Sequence, residues 1–193
     1  MFDSLDAIRQ DCANRLIRAA HDRRNPIHTP VVVTADVDAR VMVLRAFDST
    51  RFSLRFHTDT RAPKAQAIAA DPRMAVLGYD KAAKIQLRLR GLGRIEADGP
   101  AADAAWAAST NFARRCYLGE GPGTHSETPS SGLPAAFEGA EPDDHQLVPA
   151  RANFAVLLIE LVAIDWLYLA HTGHQRAQFT RAGDGWEGRW VTP

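Results

Sequence analysis

Two arginines stand five residues apart in Ala39-Arg40-Val41-Met42-Val43-Leu44-Arg45, with four apolar residues between them. In a strand alternate side chains share a face, so Arg40, Met42 and Leu44 point one way and Val41, Val43 and Arg45 the other. Both faces are apolar in the middle, which predicts a strand covered on both sides with a cation near each end. A guanidinium on such a strand is costly unless an anion pairs with it. Further on, Thr58 and Lys64 fall at the start of an alanine-rich segment, and Gln86 lies on the polar side of an alternating run. A helix start offers backbone N–H groups and a favourable dipole to an anion. Arg40, Arg45, Lys64 with Thr58, and Gln86 together have the chemistry to hold a phosphate and a polar ring. Taken singly, each is better explained as part of a solvated edge.

Other chemistries find less support. His171-Thr-Gly-His174 places two imidazoles near each other, but no carboxylate or cysteine is positioned to complete a metal site, so no metal is expected. Gly91-Leu-Gly93 sits inside a strand with no helix directly after it, unlike a dinucleotide fingerprint. No Gly-x-Ser-x-Gly occurs, which leaves a nucleophilic hydrolase without a motif.

The elements that must position these residues can be read from periodicity. Leu5, Ile8, Cys12, Leu16 and Ile17 recur at helical spacing, which predicts an N-terminal helix within residues 1–25, ended by Asn25-Pro26. Val31 to Thr34, the Arg40–Arg45 stretch and Phe52 to Thr58 read as three strands of an antiparallel meander. A short helix is expected next, with Asp59 or Thr60 as its cap, Pro63 in its first turn, Lys64 at its N-terminus and Ala65 to Ala70 propagating it until Asp71-Pro72 stops it. Met74 to Tyr79 and Lys84 to Glu96 are strands; in the second, Ile85, Leu87 and Leu89 alternate with Gln86, Arg88 and Arg90. Gly91 and Gly93 mark an expected bulge or bend. Ala101 to Arg115 reads as a helix. Residues 117–150 read as a long loop, a candidate lid, since loops of that length are usually functional or disordered. Phe154 to Leu169 and two shorter strands, about 176–180 and 186–191, close the chain. The expected architecture is mainly β (α+β): one domain over residues 1–193, a small barrel of six to eight mostly antiparallel strands with flanking helices.

The 193 residues suffice for a full core, and the 23 basic and 23 acidic side chains cancel. No whole-protein field therefore steers the chain to nucleic acid or to a membrane surface. The longest apolar run, Phe154 to Ile159, is too short to span a bilayer, and Asp3 and Asp6 interrupt what would be a signal peptide. Cys12 and Cys116 lack any ligand spacing, which fits a reducing, cytoplasmic setting.

Arg40-Val-Met-Val-Leu-Arg45, Phe56-His57-Thr58, Lys64-Ala65, Asp71-Pro72-Arg73, and Gln86 five residues before Gly91 occur in one order and spacing. In this the chain resembles the pyridoxamine 5'-phosphate oxidase family of FMN-binding split barrels, over residues 31–97 and more weakly to the C-terminus. The resemblance implies a homodimer with FMN at its interface, lined by Arg40, Val41, Met42, Val43, Leu44, Arg45, His57, Thr58, Lys64 and Gln86. Arg40, Lys64 and the Thr58 hydroxyl would hold the phosphate, and Arg45 and Gln86 would face the polar edge of the ring. Departures are visible. Pro63-Lys64 stands where the family has Arg-Lys, and Pro129-Ser130 where it has Gln-Ser, keeping only the Ser130 hydroxyl. The family's C-terminal Trp and Arg fall near Leu167 and on Gln178. Its phosphate clamp for the substrate falls on Trp106, Thr110 and Arg114, and its Arg-x-His pair on His174-Gln175-Arg176. His174 and Arg176 are therefore the candidates for substrate contact, and no catalytic residue is assigned. The reading is a flavin-dependent oxidoreductase acting on an unidentified small molecule, related to the oxidase rather than equivalent to it. Retained pyridoxamine 5'-phosphate oxidation, a non-enzymatic flavin or anionic-ligand carrier, and a barrel without cofactor stand as the alternatives.

Overall fold

The computed structural model describes residues 2–193, which divide into two compact units. One comprises residues through Phe56, Asp71–Gly93 and Leu158–Pro193; the other comprises His57–Ala70 and Arg94–Leu157.

Nine strands lie wholly or in larger part in the first unit: β1 (Val31–Thr34), β2 (Ala39–Val41), β3 (Ala46–Asp48), β4 (Ser53–Asp59), β5 (Arg73–Asp80), β6 (Ile85–Glu96), β7 (Phe154–Tyr168), β8 (Gln175–Ala182) and β9 (Gly185–Val191). They pair antiparallel, β1 with β2 and β5, β3 with β4, β5 with β6, and β8 with β7 and β9. The count exceeds the expected six to eight because the Arg40–Arg45 stretch is not one strand. β2 ends at Val41, and the chain re-enters the sheet at Ala46.

That break is what closes the sheet. The strand order is β2-β1-β5-β6-β7-β4-β3, so β2 and β3 sit at opposite ends of it although only residues 42–45 separate them in sequence. The Met42 N–H donates to the Pro30 carbonyl at 3.1 Å, Leu44 to His28 at 2.8 Å, and Arg45 to Arg55 at 2.9 Å. Residues 42–45 therefore pass from the β1 side to the β4 side and join the two free edges, the arrangement that makes a barrel and hides unpaired strand backbone. The alternation survives in part: Met42 and Leu44 are buried. The expected cover on the other face is absent, since Val41 is 64% exposed.

Val32, Leu54, Phe56, Val76, Leu87, Leu89, Ile159 and Ile164 supply the buried face of the strands. Helix α1 (Leu5–His21) packs on β3, β8 and β9 through Ile8, Cys12, Ala13, Leu16 and Ala19. The Ser4 hydroxyl caps its start by accepting from the Ala7 N–H, and the Asp22 N–H closes its end on Arg18. Gly91 makes no break in β6: a Cβ there would lie 2.4 Å from the Glu160 carbonyl oxygen of β7. Close approach of a neighbouring backbone, rather than a bend, explains this glycine.

The second unit holds α2 (Pro63–Ala70), α3 (Pro100–Ala107) and α4 (Asn111–Arg114). The continuous helix expected over 101–115 is interrupted at 108–110, where Thr110 starts a new helix by accepting from the Ala113 N–H. Trp106, Tyr117, His57 and Phe154 form an edge-to-face aromatic cluster with centroids 5.0–6.1 Å apart. Residues 117–150 are mostly irregular and exposed, with short 3-10 turns at Ala135–Phe137 and from Val148. Their central part is gathered around the buried Arg115 side chain, whose Nη1 donates to the carbonyls of Phe137, Glu138 and Ala140 at 2.8–3.3 Å.

Candidate functional site

Register on the first unit's sheet decides which side chains meet. β5 pairs with β6 so that Tyr79 is opposite Gln86, Leu77 opposite Arg88 and Ala75 opposite Arg90. Since Leu87 and Leu89 fill the core, these pairs face outward. A cavity of about 590 Å³ opens on this side, within the range of small-molecule and cofactor sites. Gln86, Arg88 and Arg90 of β6 line it with Asp165 of β7, Arg176 and Gln178 of β8 and Arg189 of β9, over an apolar floor that includes Leu77 and Phe179.

The polar wall is a bonded network. Arg176 meets Asp165 edge to edge, with Nε–Oδ1 at 3.0 Å and Nη2–Oδ2 at 2.7 Å. The Gln178 amide donates to Asp165 Oδ2 at 2.9 Å, and its carbonyl oxygen accepts from Arg189 Nη2 at 3.0 Å. Arg88 Nη1 stands 3.7 Å from the same carboxylate oxygen. Burial pushes the Asp165 carboxyl up, but the hydrogen bonds from Arg176 and Gln178, with the charges of Arg176 and Arg88, outweigh it and hold the group below its ordinary value. Arg176 is shifted up by the same pair. Asp165 is thus a fixed carboxylate among three guanidiniums, and the wall as a whole is cationic. Among the described residues the Gln86 side chain makes no hydrogen bond, so its amide keeps both donor and acceptor capacity towards the cavity.

Of the residues singled out from sequence, the structure brings Gln86 and Arg176 into this one cavity. His174 lies in the exposed turn before β8. In the β1–β2 hairpin Arg40 is engaged by its own chain: Nη1 donates to the Thr34 hydroxyl at 3.0 Å and Nη2 pairs with Asp38. Val41 and Arg45 are exposed on either side of buried Met42 and Leu44, with Val43 half-buried between them. In the second unit Thr58 is buried, His57 packs its ring edge on Phe154, and Lys64 stands in the first turn of α2. Nearby Arg61 does not replace the cation missing at Pro63. It is held by Asp59 through Nε at 2.9 Å and Nη2 at 2.7 Å, and by the Gly119 carbonyl at 3.0 Å. Ser130 is exposed and its hydroxyl accepts from the Gly132 N–H. Among the described residues no cluster suits a metal, and no helix is long and apolar enough to cross a membrane.

Sequence reasoning missed Asp165 and Arg189. A signal for the first was present: it is a lone carboxylate inside the run Leu161-Val-Ala-Ile-Asp165-Trp166, where an unpaired charge would be costly. Arg189 carried none, because only the β8–β9 register, which sets it opposite Gln178, reveals its partner.

Comparison with known proteins bears on the fold. Residues 14–96 match the family model of the pyridoxamine 5'-phosphate oxidase FMN-binding domain. Among solved structures, a pyridoxamine 5'-phosphate oxidase-related, FMN-binding protein of Nostoc punctiforme superposes with a TM-score of 0.75 at 24% identity, over the whole of both chains. PhzG of Burkholderia lata, solved with tetrahydrophenazine-1-carboxylic acid, gives 0.65 at 14% identity over 98% of this chain and 92% of that one. A Clostridium acetobutylicum protein related to general stress protein 26 gives 0.54 at 11% identity, over 91% and 95%. No curated protein matches. The fold is the antiparallel split barrel with flanking helices that these solved structures share, and within it residues 14–96 are similar to the FMN-binding domain of the pyridoxamine 5'-phosphate oxidase family.

Proposed function

We propose that the protein is a homodimeric FMN-dependent oxidoreductase acting on a small molecule in the cytoplasm. The observation that carries the reading is the match of residues 14–96 to an FMN-binding domain, together with the cavity on which Gln86 opens. The donor set there fits a flavin: the polar edge of the isoalloxazine ring alternates carbonyl acceptors with an imide donor. An amide with both capacities unspent can meet either. Bound FMN would supply the redox chemistry, and the protein supplies orientation and electrostatics. Gln86 orients the ring edge, and the arginine-rich wall favours negative charge on it. Leu77 and Phe179 exclude water from its apolar part. Arg40, Arg45, Lys64, Thr58 and Ser130 are the proposed phosphate and ring contacts, with Arg40 exchanging Asp38 for phosphate. Dimerisation is supported by Leu77, Tyr79, Leu92 and Val162, large apolar side chains of β5, β6 and β7 that are 39–47% exposed.

The test is the visible spectrum of protein purified without added cofactor and again after FMN addition and desalting. Retained flavin bands, lost in an Arg40→Ala/Lys64→Ala double variant and weakened in Gln86→Ala, are expected. A colourless protein after loading overturns the reading. Bound flavin that no nicotinamide or substrate reduces leaves a carrier in its place.

A further inference from the structure

The cavity wall holds four guanidiniums and one carboxylate: Arg88, Arg90, Arg176 and Arg189 against Asp165. The carboxylate is fully committed. Arg176 takes both its oxygens, and Gln178 takes Oδ2 again. What faces the cavity is therefore donor capacity without an acceptor. Arg176 Nη1 and Arg189 Nη1 make no hydrogen bond among the described residues, and neither does the Arg90 side chain.

The orientation of the Arg176 and Arg189 donors is set by Asp165. A carboxylate only accepts, so the Gln178 NH₂ must point to it and the Gln178 carbonyl must point away. That carbonyl then accepts from Arg189, which draws an arginine of the last strand over the cavity. One carboxylate on β7 thereby fixes a glutamine and an arginine on β8 and, through the glutamine, an arginine on β9.

We propose that the ligand of this cavity, beyond any flavin, carries an acidic group received by Arg176 and Arg189, and that Asp165 is the positioning residue that presents them. This rests on the oxidoreductase reading only in calling that ligand a substrate. Guanidiniums held by neighbours are pre-organised for a planar carboxylate or a phosphate, which they bind in pairs of charge-assisted bonds.

Benzoate and its neutral counterpart benzamide are the probes, titrated into FMN-treated protein and followed by saturation-transfer NMR. Benzoate is expected to bind at least tenfold more tightly than benzamide, and Arg189→Gln is expected to remove most of that preference. Asp165→Asn separates positioning from simple charge. Removing a negative charge from a cationic wall would by itself strengthen benzoate binding, whereas loss of positioning weakens it. A loss of fivefold or more is expected, with partial recovery in Asp165→Glu. Gln178→Met serves as a second variant that leaves the Asp165–Arg176 pair in place. It should lower benzoate affinity in the same direction. Equal binding of the two probes by the wild type overturns the proposal, as does tighter benzoate binding by Asp165→Asn together with unchanged binding by Gln178→Met. Flavin retention is read on the same samples. Retained flavin without a benzoate preference sinks this inference alone, and a benzoate preference in colourless protein sinks the oxidoreductase reading alone.

Discussion

Asp165 and Arg176 face each other across β7 and β8 with both carboxylate oxygens engaged, at 3.0 and 2.7 Å. This pair has a consequence for stability as well as for binding. The folded Asp165 carboxyl titrates below its ordinary value. Its contribution is therefore fully present above the unfolded carboxylate value of about 3.9 and is lost as pH falls through the lowered folded one. Denaturant midpoints measured from about pH 7 down to about pH 2 should show Asp165→Asn less stable than the wild type at neutral pH, with the gap narrowing below about pH 4. A gap independent of pH would mean that the ionised form of Asp165 contributes nothing.

Arg61 ties the loop after α4 to the start of α2 by holding Asp59 and the Gly119 carbonyl at once. A Cβ at Gly121 would lie 3.3 Å from the Arg61 Cβ, so the loop backbone runs close over the arginine stem. Arg61→Ala removes the bond to Gly119 and leaves the Asp59 carboxylate only the backbone N–H of residue 61, at 2.8 Å, in place of the guanidinium. Limited proteolysis between residues 119 and 134 is expected to accelerate severalfold, with cleavage elsewhere unchanged. Unchanged cleavage would show that the loop is held by other contacts.

The seam predicts an asymmetry between neighbours of similar type. Leu44 is fully buried where residues 42–45 join β1 to β4, and Val41, three residues earlier, is 64% exposed. Leu44→Ala should cost about 2–5 kcal/mol, the range for a buried leucine truncated in a packed core. Val41→Ala should stay within about 0.5 kcal/mol unless a second copy covers it. Equilibrium denaturation of the two variants checks both values. A marked concentration dependence for Val41→Ala alone would place that side chain in a dimer contact.

The same seam shows what the sequence could and could not disclose. Alternation in β6 was legible because one face is core and the other is not, so Leu87 and Leu89 declared the inward side and Gln86 the cavity side. The α1 and α2 helices were legible from spacing, from proline and from their stops. The break after Val41 was not, because an uninterrupted apolar run looks the same whether it pairs with one neighbour or passes between two. Long-range pairing decides, and local pattern does not encode it. Two members of the polar wall, Asp165 and Arg189, were hidden for the same reason. Gln86 and Arg176 are ninety residues apart, and Asp165 and Arg189 meet them only through the registers of β7, β8 and β9.

Gly91 offers the sharpest check on the packing of β6 against β7. A methyl group there would sit 2.4 Å from the Glu160 carbonyl oxygen and 2.8 Å from the Ile159 Cγ2. The first of these is backbone and cannot rotate away, so relief requires the two strands to part. Overpacking in a rigid core typically costs about 1–3 kcal/mol, and parting a strand pair puts the outcome at or above the upper end. Gly188, whose added Cβ would meet the Phe179 ring at 2.7 Å, is the useful comparison, since a side chain on the thinner β8–β9 edge can shift. Gly91→Ala should therefore lower the melting midpoint more than Gly188→Ala does. If the two variants melt together, the close approach of β6 to Glu160 is not what requires glycine at position 91.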